Sequence, residues 1–191
     1  MKKVIGNPTK INQDLIELIK KNKINNYYLR HKKDFREKIL QEIRPEDSVL
    51  DIGMAMRDKH VQIKSKILET LDVNDFGDYP DIICDICSDI SGLEKKYDKI
   101  ICLAILEHVY DPFLAVKNLK KMLKDDGIIY GYVPYLFYYH APKDLKFQDY
   151  FRFSKDALAI LFKEFSEIEI FPIRGRISAS FNLMFAGRWK N

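Results

Sequence analysis

The feature that most constrains the fold is a series of short apolar runs that alternate with helical patterns. The runs cover residues 48–53, 66–72, 81–85, 98–103 and 127–133. The clearest helical pattern covers 111–124, where apolar side chains recur at helical spacing. Strands that alternate with helices form a largely parallel sheet covered by helices on both faces. We therefore predict an α/β fold.

The two ends of the chain add to this alternation. Near the C-terminus we predict a helix over 154–165 with Ser154 as its N-cap, then two strands over 167–173 and 178–186. Because no helix separates these two strands, they are expected to pair antiparallel. The first 44 residues contain two amphipathic stretches. The apolar face of the first consists of Ile11, Leu15, Leu18 and Ile19, and that of the second consists of Phe35, Ile39 and Ile43. The second stretch ends before Pro45, so we predict a helical cap over 1–44 and one α/β domain over 45–191.

Charge and hydropathy exclude several classes of protein. The net charge of +4 divides into +7 over residues 1–44 (twelve Lys/Arg, five Asp/Glu) and −3 over 45–191 (twenty and twenty-three). A basic segment can meet an anionic substrate, a nucleic acid or a membrane surface, but a solvated helix face is the simpler interpretation. The longest apolar run, 100–106, is too short to span a bilayer, and no apolar segment follows the basic N-terminus. We expect no membrane span and a cytoplasmic protein with reduced cysteines.

Acidic residues follow three successive predicted strands. They are Asp51, Asp72 and Asp85. Ligands of open parallel sheets bind beyond the carboxyl ends of the strands, and an acidic residue at the position of Asp72 can accept both hydroxyls of a ribose. Three carboxylates at one sheet edge are costly to bury, so they indicate a polar ligand with hydroxyl and amine donors. A helix N-cap is the alternative role for each, and it stays open for Asp85.

These residues resemble a known family. Residues 49–53, Asp72 and residues 85–86 resemble the cofactor half of a class I S-adenosylmethionine-dependent methyltransferase of the type 11/12 kind. The strongest match is 97–127, with Leu106-Glu107-His108-Val109-Tyr110-Asp111-Pro112 inside it, and residues 148–154 resemble a segment of members that modify sugars or cell-surface precursors. The resemblance covers roughly 46–187. It implies a Rossmann-like fold, with a seven-stranded, mostly parallel sheet that contains one antiparallel strand.

The resemblance also implies S-adenosylmethionine as cofactor, with S-adenosylhomocysteine as product. Carried over by position, Asp51 and Gly53 lie beside the methionine part, Asp72 binds the ribose, Asp85 and Ile86 flank the adenine, and Leu103 closes the site from the fourth strand. Met54, Ala55 and Val73 are the further predicted cofactor contacts. The glycine loop departs from the family pattern D-x-G-x-G-x-G, because only Gly53 remains in Asp51-Ile52-Gly53-Met54-Ala55-Met56-Arg57. A Cβ at the next two glycine positions restricts close backbone approach. A catalytically inactive protein with this fold is therefore an alternative.

Two histidines are the candidate catalytic residues. His108 follows the fourth strand and His140 follows the fifth, where the acceptor of a methyl group is expected. Methyl transfer needs proximity, in-line alignment and, for a hydroxyl acceptor, a base, which histidine supplies near neutral pH. The alternative for His108 is to shape its loop. Segment 130–153 holds ten of the twenty-four aromatic residues, which either pack beneath the N-terminal helices or wall an acceptor pocket.

The sequence thus predicts methyl transfer from S-adenosylmethionine to a small or medium polar acceptor. The resemblance favours a sugar-linked or surface-polysaccharide precursor. The partner is a small molecule, nucleic acid is disfavoured, and the oligomeric state does not follow from the sequence. We expect no metal, because Cys84 and Cys87 have the spacing of half a zinc site and no second pair follows. The alternatives are an inactive protein that acts as a binding or regulatory partner and, third, a nucleotide or RNA methyltransferase.

Overall fold

A computed structural model describes residues 13, 17, 24–53, 56–135, 137–141, 143–172 and 182–190. Its helices and strands are, in chain order, α1 (Ile24–Glu42), β1 (Ser48–Ile52), β2 (Ile67–Asp72), β3 (Ile82–Ile83), β4 (Tyr97–Leu103), α2 (Pro112–Met122), β5 (Leu123–Pro134), α3 (Lys155–Leu161), β6 (Glu167–Pro172) and β7 (Asn182–Arg188). Two 3₁₀ helices cover Arg57–Gln62 and Leu106–His108. No helix of the described residues is long and apolar enough to cross a membrane.

The strands form one seven-stranded sheet in the order β3-β2-β1-β4-β5-β7-β6. Neighbouring strands from β3 to β5 are parallel. β7 runs antiparallel to both β5 and β6. This topology confirms the predicted α/β class, with a mostly parallel sheet and one antiparallel strand.

Apolar side chains of the central strands alternate between two layers, as the period of a strand requires. On one face, Val49 of β1 and Ile101 of β4 pack in a cluster with Ile39 of α1. On the other face, Leu50 and Ile100 pack in the larger cluster, which also contains residues of α2 and α3. Helices therefore cover both faces, and the side chains of β1 and β4 are buried on either side.

Helix starts agree with the sequence more closely than helix ends do. Asp111 Oδ1 accepts a hydrogen bond from the Leu114 N–H (2.9 Å) and caps α2. Ser154 Oγ accepts from the Ala157 N–H (3.2 Å) and caps α3, which confirms the predicted N-cap. α3 ends at Leu161 rather than at Phe165, where the chain turns and packs two aromatic rings into the core.

The N-terminal helices are described in part. α1 contains the predicted amphipathic stretch and ends at Glu42, before Pro45. Phe35 and Ile43 are buried beside Ile39 against the sheet. The apolar residues of the predicted helix over 11–19 lie outside the described residues.

Candidate functional site

A cavity of about 400 Å³ lies at the carboxyl ends of β1, β2 and β4. The predicted cofactor residues that line it are Gly53, Asp72, Val73, Asp85, Ile86 and Leu103. Met54 and Ala55 lie outside the described residues. His108 lines the same cavity, whereas His140 and Asp51 do not. The sheet topology therefore brings most of the predicted cofactor contacts and one predicted catalytic residue to one space.

Gly53 forms the turn that follows β1. Its φ of +74° is in the left-handed region, and a Cβ on it would lie 2.5 Å from Ile105 Cδ1. The Gly53 N–H donates to the Leu71 carbonyl (2.8 Å), and the Tyr79 hydroxyl donates to the Gly53 carbonyl. The positive φ favours glycine at this position, whereas the contact with Ile105 Cδ1 involves the far end of a flexible side chain that can move.

Asp72 ends β2 inside the cavity. Its Oδ1 accepts from the backbone N–H (2.8 Å) and the side-chain amide (3.1 Å) of Asn74. The buried Asn74 side chain also accepts, through Oδ1, the Lys146 N–H (2.9 Å). Lys146 and Phe147 line the cavity from the other side. Asn74 thus joins the loop after β2 to a distant segment that walls the same space.

Asp85 follows β3, and its Oδ1 accepts the Cys87 N–H (2.8 Å). No helix begins at this point, because the residues up to β4 form turns and irregular structure. Asp85 therefore forms an Asx turn and does not cap a helix. Cys84 and Cys87 make separate contacts, to the Asp85 carbonyl (3.5 Å) and the Asp111 carbonyl (3.3 Å), and burial raises the pKa of both thiols.

Asp51 lies beneath the glycine loop and is fully buried. Its Oδ2 is 2.6 Å from His60 Nε2, while its Oδ1 is buried with no hydrogen-bond partner among the described residues. Burial raises the pKa of Asp51 to about 6, although the hydrogen bond with His60 acts in the opposite direction. No motif in the sequence indicated that His60 would be the partner of Asp51.

Arg57 points away from the cavity. Its guanidinium lies 4.9 Å from the centre of the Tyr79 ring, and Nη2 is 3.4 Å from Asp78 Oδ2. The lining of the cavity does not include it.

His108, in the 3₁₀ helix that follows β4, and His140, in the loop that follows β5, contact each other beside the cavity. Their ring centres are 4.8 Å apart in an edge-to-face arrangement. The His108 ring also lies 4.8 Å from that of Phe147, which lines the cavity. Burial lowers the pKa of His108, which favours the neutral imidazole.

Glu107 lies beside both histidines and is fully buried. Its Oε1 is 3.9 Å from Nε2 of His108 and 3.9 Å from Nε2 of His140. Asp149 lies behind His140, with its Oδ2 3.0 Å from Nδ1 of that ring, and binds Arg152 through both oxygens. Burial raises the pKa of Asp149, but the hydrogen bonds from Arg152 and from the His140 N–H hold it below its usual value.

The aromatic segment is divided between the site and the core. Phe147 and Tyr150 line the cavity, and Phe153 packs in the cluster that contains α2 and α3. Tyr130 and Tyr132 pack under α1. Sequence reasoning did not assign Asn74, Glu107 or Lys146 to the site. Glu107 had a signal in its pairing with His108, but Asn74 and Lys146 are ordinary polar residues of loops.

Solved structures with a similar fold include several methyltransferases, and one further match is described as a putative zinc-dependent alcohol dehydrogenase from Rhodobacter sphaeroides. The N-methyltransferase NodS from Bradyrhizobium japonicum WM9, in complex with S-adenosylhomocysteine, matches with a TM-score of 0.57 and 18% identity over 85% of this chain and 86% of its own. An S-adenosylmethionine-dependent methyltransferase from Clostridium acetobutylicum has a TM-score of 0.60 and 12% identity, over 85% of this chain and 92% of its own.

A third match is the 1,6-didemethyltoxoflavin-N1-methyltransferase from Burkholderia thailandensis, with bound 1,6-didemethyltoxoflavin and S-adenosylhomocysteine. Its TM-score is 0.58 at 11% identity, over 100% of this chain and 94% of its own. No protein-family model and no curated protein matches the sequence. The chain therefore has the class I methyltransferase fold, as the sequence resemblance predicted.

Proposed function

We propose that the protein is an S-adenosylmethionine-dependent methyltransferase that acts on a small or medium polar acceptor. The observation that carries the proposal is the cavity at the strand ends. Gly53, Asp72 and Asp85 line it from the ends of β1, β2 and β3, which are neighbours in the sheet. A nucleoside with an amino-acid tail is long and polar enough to contact all three strand ends in turn.

The chemistry of the lining residues fits this cofactor. Asp72 is placed to accept the ribose hydroxyls, and Asp85 and Ile86 to flank the adenine. The turn at Gly53 lets the backbone approach the methionine part closely. Leu103 supplies an apolar wall from β4. Asp51, which does not line the cavity, is proposed to support the loop from beneath through its contact with His60.

Bound S-adenosylmethionine supplies an electrophilic methyl carbon on a sulfonium, which is a good leaving group. The protein then has to hold the acceptor in line and take up a proton. His108 lies on the cavity wall and His140 one layer behind it, so these two side chains are proposed to serve the acceptor. Lys146, Tyr110 and Tyr150, whose side chains carry polar groups, also line the cavity, and these residue types suit a hydroxyl-rich acceptor such as a sugar-linked precursor.

The orientation of Arg57 supports an active protein over the inactive alternative. A cation beside the sulfonium would repel it, but the Arg57 guanidinium contacts Tyr79 and Asp78 instead. The positive φ of Gly53 is also retained. Of the described loop residues, Gly53 therefore keeps the family's glycine, and Arg57, which replaces another glycine, lies outside the cavity lining.

The proposal is tested by calorimetric titration of the full chain with S-adenosylmethionine and, separately, S-adenosylhomocysteine. We expect both to bind with micromolar affinity, and ATP, which shares the adenosine but lacks the methionine part, to bind far more weakly. A folded protein that binds neither compound at millimolar concentration would overturn the proposal and favour the inactive alternative. If ATP bound as tightly as the other two, the site would recognise adenosine alone.

A further inference from the structure

Glu107, His108 and His140 converge at the acceptor end of the cavity. Each offers one ligand atom, and these atoms all lie within 4.8 Å of one another. A cation between them would be roughly 2.5 Å from each, and shifts of roughly half an ångström would give the distances of about 2.0–2.2 Å found in zinc sites. The three side chains are therefore spaced as a metal site that needs only small adjustments.

The tautomers of both histidines follow from their hydrogen bonds. His108 Nδ1 is 2.8 Å from the Gln148 carbonyl, which can only accept, so Nδ1 carries the hydrogen. His140 Nδ1 is 3.0 Å from Asp149 Oδ2 and 3.2 Å from the Tyr138 carbonyl, and it carries the hydrogen for the same reason. In the neutral rings, both Nε2 atoms then present lone pairs.

These lone pairs face the same carboxylate. Both Nε2 atoms are 3.9 Å from Glu107 Oε1, which is too long for a hydrogen bond. Two lone pairs and an anionic oxygen repel one another. A cation between them would attract all three atoms and stabilise this arrangement.

The outer contacts have the form found around metal ligands. A metal-binding histidine usually donates its other N–H to a carboxylate or a backbone carbonyl, which fixes its orientation. Asp149 plays this part for His140, and the Gln148 carbonyl for His108. Arg152 in turn holds Asp149, with Nη2 2.7 Å from Oδ2. Residues 148–152 thus orient both rings.

We propose that Glu107, His108 and His140 bind a divalent transition-metal cation. Two imidazoles and one carboxylate suit Zn²⁺, Fe²⁺, Mn²⁺ or Co²⁺, and they leave coordination positions for water or another oxygen. Because His108 also lines the cavity, the cation lies at the cavity wall. If the proposed methyltransferase function holds, the two histidines serve the acceptor as metal ligands, and the acceptor class is one with an oxygen that can bind the cation.

The test is metal binding by the EDTA-treated full chain, measured by calorimetry with Zn²⁺, Mn²⁺ and Co²⁺ in turn. We expect at least one of them to bind with one cation per chain. Glu107→Gln, His108→Ala and His140→Ala should each weaken that binding tenfold or more. With Co²⁺, absorption bands in the visible region should appear without the strong near-ultraviolet band that a thiolate ligand produces.

The double variant Cys84→Ser/Cys87→Ser is the matched control, and its metal affinity should equal that of the unchanged protein. S-adenosylhomocysteine is titrated into every variant in parallel. His140 does not line the cavity, so His140→Ala should lose the metal and keep its affinity for S-adenosylhomocysteine. Circular dichroism checks folding, and His140, with a side chain one quarter exposed, provides the variant least at risk of misfolding.

The proposal is wrong if the folded protein binds none of the three cations, or if binding survives in all three ligand variants. Failure of S-adenosylhomocysteine to bind, with the metal result as expected, would instead overturn the proposed function alone.

Discussion

At the scale of single residues, two carboxylates at neighbouring strand ends have opposite environments. Asp72 lines the cavity and is only partly buried, and its Oδ1 is already held by Asn74. Asp51 is fully buried against His60. The sequence placed both at strand ends, but it could not separate them, because burial depends on which loops cover each position. Their roles should differ accordingly.

Asp72 should control cofactor affinity. Asp72→Ala is expected to weaken S-adenosylhomocysteine binding roughly 10- to 100-fold, since hydrogen bonds to a charged group contribute roughly 1.5–3 kcal/mol. Asp72→Asn keeps an oxygen for the Asn74 contacts and should show a smaller loss. Calorimetry measures both. The exposed Asp89→Asn is the control, and equal affinity in all of these proteins would mean that the ribose lies elsewhere.

Asp51 should make stability depend on pH. Its folded pKa, about 6, lies above the ordinary value of 3.8, so its neutral form favours folding. This contribution is fully present below about pH 4 and is lost as the pH rises through about 6. It amounts to roughly 3 kcal/mol, at 1.36 kcal/mol per pKa unit.

Urea unfolding at pH 4.5 and pH 7.5 measures this effect. Relative to the unchanged protein, Asp51→Asn should gain stability at the higher pH, because the amide needs no ionisation. Asp75→Asn, at an exposed carboxylate that accepts the Gly77 N–H, should show no such gain. A pH-independent difference for Asp51→Asn would contradict the raised pKa.

At the scale of elements, most strands were predictable, although β3 covers only Ile82–Ile83 of the predicted 81–85 and β7 ends at Arg188 rather than at residue 186. The segment after β1 was less predictable. The positions of β2, β4 and β6 follow from apolar runs of the right length. Among the described residues between β1 and β2, however, the chain forms only the 3₁₀ helix Arg57–Gln62, with no buried residue in it. The helix that packs on the face of the sheet formed by Val49 and Ile101 is instead α1, which precedes β1 in the chain. A pattern of local periodicity does not reveal which helix covers which face.

Because α1 packs on that face, it should unfold together with the sheet. Ile39→Ala removes a fully buried side chain from the cluster on β1, β4 and β5, and should cost about 2–5 kcal/mol. Calorimetric unfolding should show one transition, shifted as a whole to lower temperature. Gln41→Ala, on the exposed side of α1, is the matched control. An unshifted main transition in Ile39→Ala would mean that α1 is an independent unit.

At the scale of the whole molecule, the site is assembled from segments far apart in the chain. The parallel sheet brings the ends of β1, β2 and β4 together, and this part of the site was predictable because the topology requires it. The contact between Glu107 and His140 was not predictable, since 33 positions separate them and the described residues of the loop after β5 form no regular structure. The outward course of Arg57 likewise depends on Tyr79 and Asp78, which the loop sequence does not contain.

The hydrogen bond from the Lys146 N–H to Asn74 Oδ1 joins the loop after β2 to the segment at residues 145–147. A ligand that binds at Asp72 and stabilises Asn74 should therefore also stabilise the segment at residues 145–147. We expect S-adenosylhomocysteine to slow hydrogen exchange at the Lys146 amide. Asn74→Ala should abolish the slowing of exchange while it weakens S-adenosylhomocysteine binding to a smaller extent. Mass spectrometry of peptides from this segment measures the exchange. Unchanged exchange in the unaltered protein would show that the loop and the segment act separately.

Such coupling is reciprocal: if the nucleoside raises the affinity for the acceptor, the acceptor must raise the affinity for the nucleoside by the same factor. The wall around the acceptor would then be complete only after the nucleoside has bound. Under the proposed function, S-adenosylmethionine and the acceptor would each bind more tightly when the other is already bound.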